Sequence, residues 1–522
     1  MTGGDRSGAA AAVTDHGAYR HTIMPNSSQE RERGPSGAPI AHRTWRRPAA
    51  VAGLVAGVAL VAVIAGGALT GGSSGRSIAA VSPTSSPSAV VSPAATLSPT
   101  ATPSPAAFAS NGPAVSPGQA SPPAPPPQPT TGTPGPVPSA SPTASPVPDP
   151  TEVTPALAAR LDARLHAFLK RSGIPGISAA IVWDDGRRWS GAVGSADLTS
   201  ARAMTPDTAF ALASVSKTFT AAVVLQLVGE GSLALDQPVA PLLPAFKLDP
   251  RITVRMLLDH TSGLPDYFLN AKIDKALQAK PDAAWTALRA WRYVPVKRPV
   301  PGTTWRYSNS NYLLLGELVK AVTGHPLATE VRTRLLDPLG LTAAWYQVAE
   351  KPRTDGATGY RRVAKAGGGF RYLPVAPPSD IMPFRSVVTA AGGAGSIAAT
   401  AMNAALWMRA FAGGDVLSPG LQATMLGDVS ITNALGAGIL YGLGIQAVAL
   451  DGRRALGHSG RYLGFRNVVR YVPEAGVTIA VLTNQGTYDP AKIATSLLRT
   501  VAPKPTAVPS PSPSSPSSSP SP

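Results

Sequence analysis

The chain has 522 residues, among them 55 Pro and 51 Gly, carries a formal net charge of +17 and contains no Cys. Without thiols, disulfides and thiolate-held metals are excluded; the seven His show no ligand spacing and no His-Glu-x-x-His, so neither a metal nor another cofactor is expected. Lys and Arg are spread without a dense basic run, which suits an anionic membrane or cell wall better than nucleic acid, and no nucleic-acid partner is expected.

Residues 1–47 are polar and aperiodic and end in Arg43-Thr44-Trp45-Arg46-Arg47. From Ala49 to Leu69 the chain runs 21 residues without a charge, long enough to cross a bilayer as a helix. Arginines precede this run, and no charged residue follows Arg76 until Asp149. The positive-inside rule therefore puts 1–47 in the cytoplasm and everything after 70 outside. A cleaved signal peptide is the rival reading; the long leader and long apolar run favour an uncleaved, single-pass anchor over 48–70. Residues 71–151 and 503–522 are rich in Pro, Ser, Ala and Thr and nearly uncharged, so they form no core and are expected to be a disordered linker and tail. Gly71-Gly72-Ser73-Ser74-Gly75 matches a nucleophile elbow but lacks the flanking strand and helix that the pattern requires. What remains, 152–502, is ample for one large domain, expected to be monomeric.

That domain opens with Thr154-Pro155, a cap and first-turn pair, followed by Leu157, Leu161, Leu165, Phe168 and Leu169 at helical spacing. Ile177–Trp183 and Arg187–Val193 flank Asp184-Asp185-Gly186 and read as a β-hairpin. A short apolar approach leads into Ser214, and the apolar run that follows reads as a buried helix to Gly229. Helices are expected over 253–259, 271–291, 311–323, 328–336 and 398–412, with a structural turn at His260–Pro265. Strands return at 441–450, 454–457, 466–472 and 477–483, before a closing helix over 490–501. This order predicts one sheet shared by the two ends of the domain, with the helical middle inserted.

Three short patterns carry chemistry. Ser214-Val215-Ser216-Lys217 is the first, and Lys217 is the one lysine with a Ser three residues before it. A lysine desolvated in a cleft can take a serine proton, and a helix N-terminus favours the charge that develops on an attacked carbonyl. Tyr307-Ser308-Asn309, the one Tyr-x-Asn, follows Pro301-Gly302-Thr303-Thr304-Trp305. Tyr307 is a proton carrier if a lysine cation lowers its pKa, while Asn309 can face a substrate carbonyl or hold the Lys217 amine. His458-Ser459-Gly460-Arg461, the one His-x-Gly, is expected at a strand end. There Gly460 would admit a substrate backbone and His458 would face the cleft toward a carboxylate.

Ser-x-x-Lys, Tyr-x-Asn about 90 residues on and His-x-Gly about 150 beyond that resemble the serine β-lactamase and penicillin-binding-protein family. The likeness is closest to the class C β-lactamase and D-alanyl-D-alanine carboxypeptidase branch. It extends to Phe210–Thr220, Leu233–Val239, Ile252–Gly263, Pro301–Asn309 and Gly457–Phe465, within about 155–500. The resemblance implies an α/β (α+β) fold: a mixed, mainly antiparallel sheet flanked by helices with an inserted all-helical subdomain. It implies Ser214 as the acylated nucleophile, with Lys217 and Tyr307 sharing proton transfer. Asn309 and His458 would position the substrate beside Gly460, and the N–H groups of Ser214 and Arg461 would form the oxyanion hole. His458 stands where many members carry Lys, which weakens the pull on a substrate carboxylate unless Arg461 supplies the charge. The expected function is a membrane-tethered, extracytoplasmic hydrolase of D-Ala-D-Ala-type peptides or β-lactams. A carboxylesterase and a non-catalytic cell-wall sensor are the alternatives.

Overall fold

A computed structural model describes residues 153–503, apart from 378, 428, 433–434 and 436–437. The expected anchor, the linker and nearly all of the tail lie outside the described residues. Among those described, no helix is long and apolar enough to cross a membrane.

The domain opens with α1 (Pro155–Ser172) and strands β1 (Gly176–Trp183), β2 (Arg188–Asp197) and β3 (Arg202–Ala203). Thr154 caps α1 as the sequence predicts, its side-chain oxygen accepting the Leu157 N–H at 3.3 Å. Strand β4 (Phe210–Ala211) then enters the tight turn Ala213–Val215 and helix α2 (Ser216–Gly229). The middle holds α3 (Val254–Leu258), α4 (Ala271–Ala279), α5 (Ala287–Trp291), α6 (Asn309–Thr323) and α7 (Leu327–Val331). Three short strands follow, β5 (Ala344–Tyr346), β6 (Tyr360–Ala364) and β7 (Phe370–Pro374). After them come α8 (Arg385–Ala391), β8 (Ile397–Ala399), α9 (Ala401–Gly413) and α10 (Pro419–Gly427). The end is β9 (Ser430–Thr432), β10 (Ile439–Tyr441), β11 (Gln446–Leu450), β12 (Arg453–Tyr462), β13 (Phe465–Val472), β14 (Val477–Thr483) and α11 (Ala491–Val501).

The predicted shared sheet is present, with strand order β3-β2-β1-β14-β13-β12-β11-β10-β9. Its first and last long strands are neighbours, Ile177 opposite Thr483, and every ladder in it is antiparallel. Strands β1 and β14 are buried along their whole length because helices cover both faces. Alternate residues Ile177, Ala179 and Ile181 pack with Leu161 and Leu165 of α1 and Leu497 and Leu498 of α11. Ala180, Ala480 and Leu482 face the other way, into the core that contains α2 and α9. Every residue of α2 from Ser216 to Leu225 is buried. Phe219 stacks on Trp407 of α9 at 4.0 Å, and Trp407 Nε1 donates to Thr218 Oγ1 at 2.7 Å.

Several elements differ from their expected extents. The helix read over 271–291 is two, because Pro281 drives Lys280 out of the helical region to φ −142°. The strand read over 441–450 breaks at Gly442–Ile445, where Gly444 takes φ +87° and any Cβ would lie 2.3 Å from that of Ala221. The helix read from 398 begins after β8, and the strand read over 454–457 continues to Tyr462. Gly444→Ala is expected to lower stability by about 2–4 kcal/mol, summing overpacking and a strained φ. A lowered urea midpoint at unchanged m-value would register it.

Candidate active site

Ser214 lies within the Ala213–Val215 turn that runs directly into α2. That turn is pinned from several sides. Phe210 and Ala211 pair with Ala399 and Ala398 of β8, and Asn467 Nδ2 of β13 donates to Ala211 O at 2.8 Å. Ser216 Oγ accepts the Ile397 N–H at 3.0 Å. With this support Ala213 holds φ +51°, an uncommon value for a residue with a side chain, immediately before Ser214. Gly460 permits the approach: a Cβ there would stand 2.1 Å from Leu212 O. The close neighbour that its missing side chain admits is thus the serine turn.

Lys217 has no exposed surface, and its Nζ meets three oxygens: Asn309 Oδ1 at 2.7 Å, Ala394 O at 3.0 Å and Ser214 Oγ at 3.1 Å. Burial pulls its pKa from 10.5 down to about 7, against the opposing charge of Asp266. A neutral amine at that distance from a hydroxyl can take its proton. Of the two roles open to Asn309, this geometry realises the second, holding the Lys217 amine. Its Nδ2 is committed on the other side, donating to Asp266 Oδ2 at 2.7 Å. The sequence reading missed Asp266, buried one residue past the His260–Pro265 turn, and Ala394, whose contribution is a main-chain carbonyl.

Tyr307 is half-buried, two residues ahead of α6, its ring centroid 5.0 Å from Lys217 Nζ. Desolvation and the neighbouring Tyr441 hold its phenol well above pKa 10, with a hydrogen bond to Ser214 acting the other way. The direction is opposite to the lowering by Lys217 expected from sequence, so Tyr307 is a protonated donor at neutral pH. The turn read as structural holds it in place. His260 takes φ +68°, packs tilted against the Tyr307 ring at 4.4 Å, and accepts at Nδ1 from Asn311 Nδ2 (3.0 Å) and Ser308 N–H (3.3 Å).

His458 sits differently from expectation. It lies inside β12 rather than at a strand end, 1% exposed, behind Tyr307 with ring centroids 6.4 Å apart. Its Nδ1 donates to Ser459 O at 2.6 Å, so Nε2 accepts from the Tyr441 hydroxyl at 3.1 Å. Burial and the nearby Lys217 push its pKa well below 6.5. A neutral, enclosed imidazole offers a carboxylate no charge. Strand parity fixes the direction of the Arg461 N–H. β11 ends its pairing at Gly457, and the Ser459 N–H points to that side, reaching Gln446 Oε1 at 3.2 Å. Arg461, two residues on and half-buried, turns its N–H the same way. A cavity of about 590 Å³ lined by Asp197, Arg202, Asp355 and Met382 lies elsewhere and includes none of these residues.

The two-ended sheet, its helical insertion and the Ser214–Lys217–Asn309 cluster define a β-lactamase-like fold. The chain belongs to the β-lactamase family, whose model matches residues 161–502. It is 35% identical over 211 residues to the esterase EstB of Burkholderia gladioli, covering 38% of this chain and 53% of that one. To penicillin-binding protein 4 of Amycolatopsis lactamdurans it is 30% identical over 345 residues, 63% of this chain and 85% of the relative. The match thus spans about half the length of the esterase but most of the penicillin-binding protein. Among solved structures, a D-stereospecific amidohydrolase from Streptomyces sp. aligns with TM-score 0.55 at 26% identity, over 66% of this chain and 98% of that one.

Tyr441→Phe leaves the buried His458 Nε2 without its donor, which is expected to cost about 1–3 kcal/mol. Chemical denaturation of the variant beside the parent chain measures it.

Proposed function

We propose that the chain is a serine hydrolase that forms an acyl-enzyme on Ser214, with peptides and amides carrying a D-residue, and β-lactams, as acyl donors. The observation that carries this reading is the buried Lys217 amine 3.1 Å from Ser214 Oγ, its other two contacts being oxygens that can only accept. Neutral Lys217 takes the Ser214 proton as Oγ bonds to the acyl carbon. The oxyanion is met by the N–H groups of Ser214 and Arg461. As the tetrahedral adduct collapses, Tyr307 gives its proton to the leaving nitrogen or oxygen and regains one from Lys217. Water then repeats the sequence in reverse on the acyl-serine. The D-residue preference draws on the likeness to a D-stereospecific amidohydrolase, and the β-lactam preference on the likeness to a penicillin-binding protein.

A second reading, hydrolysis of small uncharged esters, draws on the neutral, enclosed His458 and on the likeness to an esterase. A free substrate carboxylate would have to rely on Arg461 instead. The setting proposed for either activity is the outer face of a membrane. Residues 48–70 would be the anchor and 71–151 the tether, holding 152–502 clear of the surface.

The test is turnover of a D-alanyl-D-alanine peptide, a D-aminoacyl amide and a p-nitrophenyl ester side by side on the full chain. Peptide or amide turnover supports the first reading, and ester turnover alone moves the assignment to esterase. Fluorescent penicillin or a fluorophosphonate is expected to label the chain covalently and to lose that label in Ser214→Ala; retained label would overturn the acyl-enzyme.

The pH dependence has a defined sign. Lys217 must be unprotonated to act, so kcat/KM on an uncharged ester should climb tenfold per unit below about pH 7. It should then hold a plateau with no fall from Tyr307 below pH 10, its pKa being raised. A profile that fell from pH 7 to 9 would contradict these assignments.

A further inference from the structure

Asp266 is 3% exposed, and no step described above uses it. Its Oδ1 accepts the Phe268 N–H at 2.9 Å and so caps the turn Tyr267–Leu269. Its Oδ2 accepts Asn309 Nδ2–H at 2.7 Å. Both oxygens thus face N–H donors, the arrangement that suits an ionised carboxylate, although burial raises the acid's pKa. A carboxylate has no hydrogen to give, so Asn309 can show it only the NH₂ end of the amide, and Oδ1 must face Lys217.

That orientation decides where the Lys217 lone pair goes. Asn309 Oδ1 and Ala394 O carry no hydrogen, so each takes one N–H from Lys217. A neutral amine has two such hydrogens and one lone pair. With both hydrogens engaged, the lone pair is left for the third neighbour, Ser214 Oγ. Were the Asn309 amide turned over, its Nδ2–H would claim the lone pair and an N–H of Lys217 would point at the serine. Ser214 would then be hydrogen-bonded but could not pass on its proton.

We propose that Asp266 is a positioning residue for acyl transfer: by fixing the orientation of the Asn309 amide, it aims the lone pair of Lys217 at Ser214 Oγ. The proposal rests on the reading of Ser214 and Lys217 as nucleophile and base. Besides Asp266, the titratable groups around Lys217 are His260, His458, Tyr307 and Tyr312. Burial keeps both histidines neutral and the phenols protonated near pH 7. Asp266 is therefore the neighbour whose charge raises the lysine's pKa, and neutralising it frees the amine at lower pH while misdirecting it. A faster-deprotonating yet slower enzyme is not what loss of a turn cap alone would produce.

The experiment follows the rate of fluorophosphonate labelling of the full chain from pH 5 to 9, with thermal melting to verify folding. The variants are Asp266→Asn, Asp266→Ser, Asn309→Ala, Asp266→Asn/Asn309→Ala and Ser214→Ala. Serine is a good cap, so Asp266→Ser keeps the Tyr267–Leu269 turn while releasing Asn309. Both Asp266 variants should fall at least about tenfold on the plateau. Their acid limb should move to lower pH, and Asp266→Asn should add less than about twofold in the Asn309→Ala background. Plateau rates within twofold of the parent, an unmoved limb, or full additivity with Asn309→Ala would each overturn the role of Asp266 while leaving Ser214 as nucleophile. Undiminished label on Ser214→Ala would instead overturn the reading of the site and this proposal with it.

Discussion

A lysine amine with no access to solvent is the constraint around which the domain is arranged. Burying an ammonium ion costs several kcal/mol unless it is paired or gives up its proton, and here the charge is drawn down until the amine is poised near neutrality. The three oxygens that receive it come from three parts of the chain: the turn before α2, the first residue of α6, and the loop after α8. Sheet and helical insertion therefore have to meet at one point. The neighbouring glycines record how closely they do so. A Cβ on Gly393 would lie 2.5 Å from Tyr312 O, and one on Gly395 would lie 2.1 Å from Tyr462 Oη.

Behind the amine stands a wall of rings, Tyr307, His260, Tyr441 and His458, packed with centroid separations of 4.4 to 6.4 Å. Two of them are histidines, and burial keeps both neutral. A cationic imidazole here would repel the lysine proton, so the same desolvation that lowers Lys217 removes a competitor for its charge state. The wall also fixes the phenol of Tyr307 as a donor rather than a base. The surroundings thus set two groups apart, a half-buried phenol that keeps its proton and an enclosed amine poised to lose one.

Much of this was legible in the sequence wherever period or punctuation settles the matter. The Thr154-Pro155 start, the hairpin turn at Asp184–Gly186 and the unbroken apolar run of α2 each needed only local rules. Strands β5 and β8 are three residues long, too short for alternation to register. In the site, two of the three patterns placed Ser214, Lys217 and Asn309 together, because helical spacing and cleft chemistry constrain side-chain type. Ala394 left no trace, since any residue supplies a carbonyl. Asp266 was hidden for a different reason: its partner is 43 residues away, and an Asp after Pro before a turn is explained by capping alone. His458 was misplaced because the strand was ended too early; the residues beyond Gly457 have a partner in β13 but none in β11, and half a ladder is a weak pattern.

The sheet that joins the two ends of the domain also dictates when it can close. Gly176 N–H is held by Asn484 Oδ1, 308 residues away, and β1 has no neighbour on that side until β14 arrives. A chain threaded end-first through a membrane pore would keep β1 and β2 as a half-covered hairpin throughout. The nine-stranded sheet would lock only after the last strand had emerged. Such delayed closure leaves the apolar face of β1 as the surface in most need of shielding until β14 is in place.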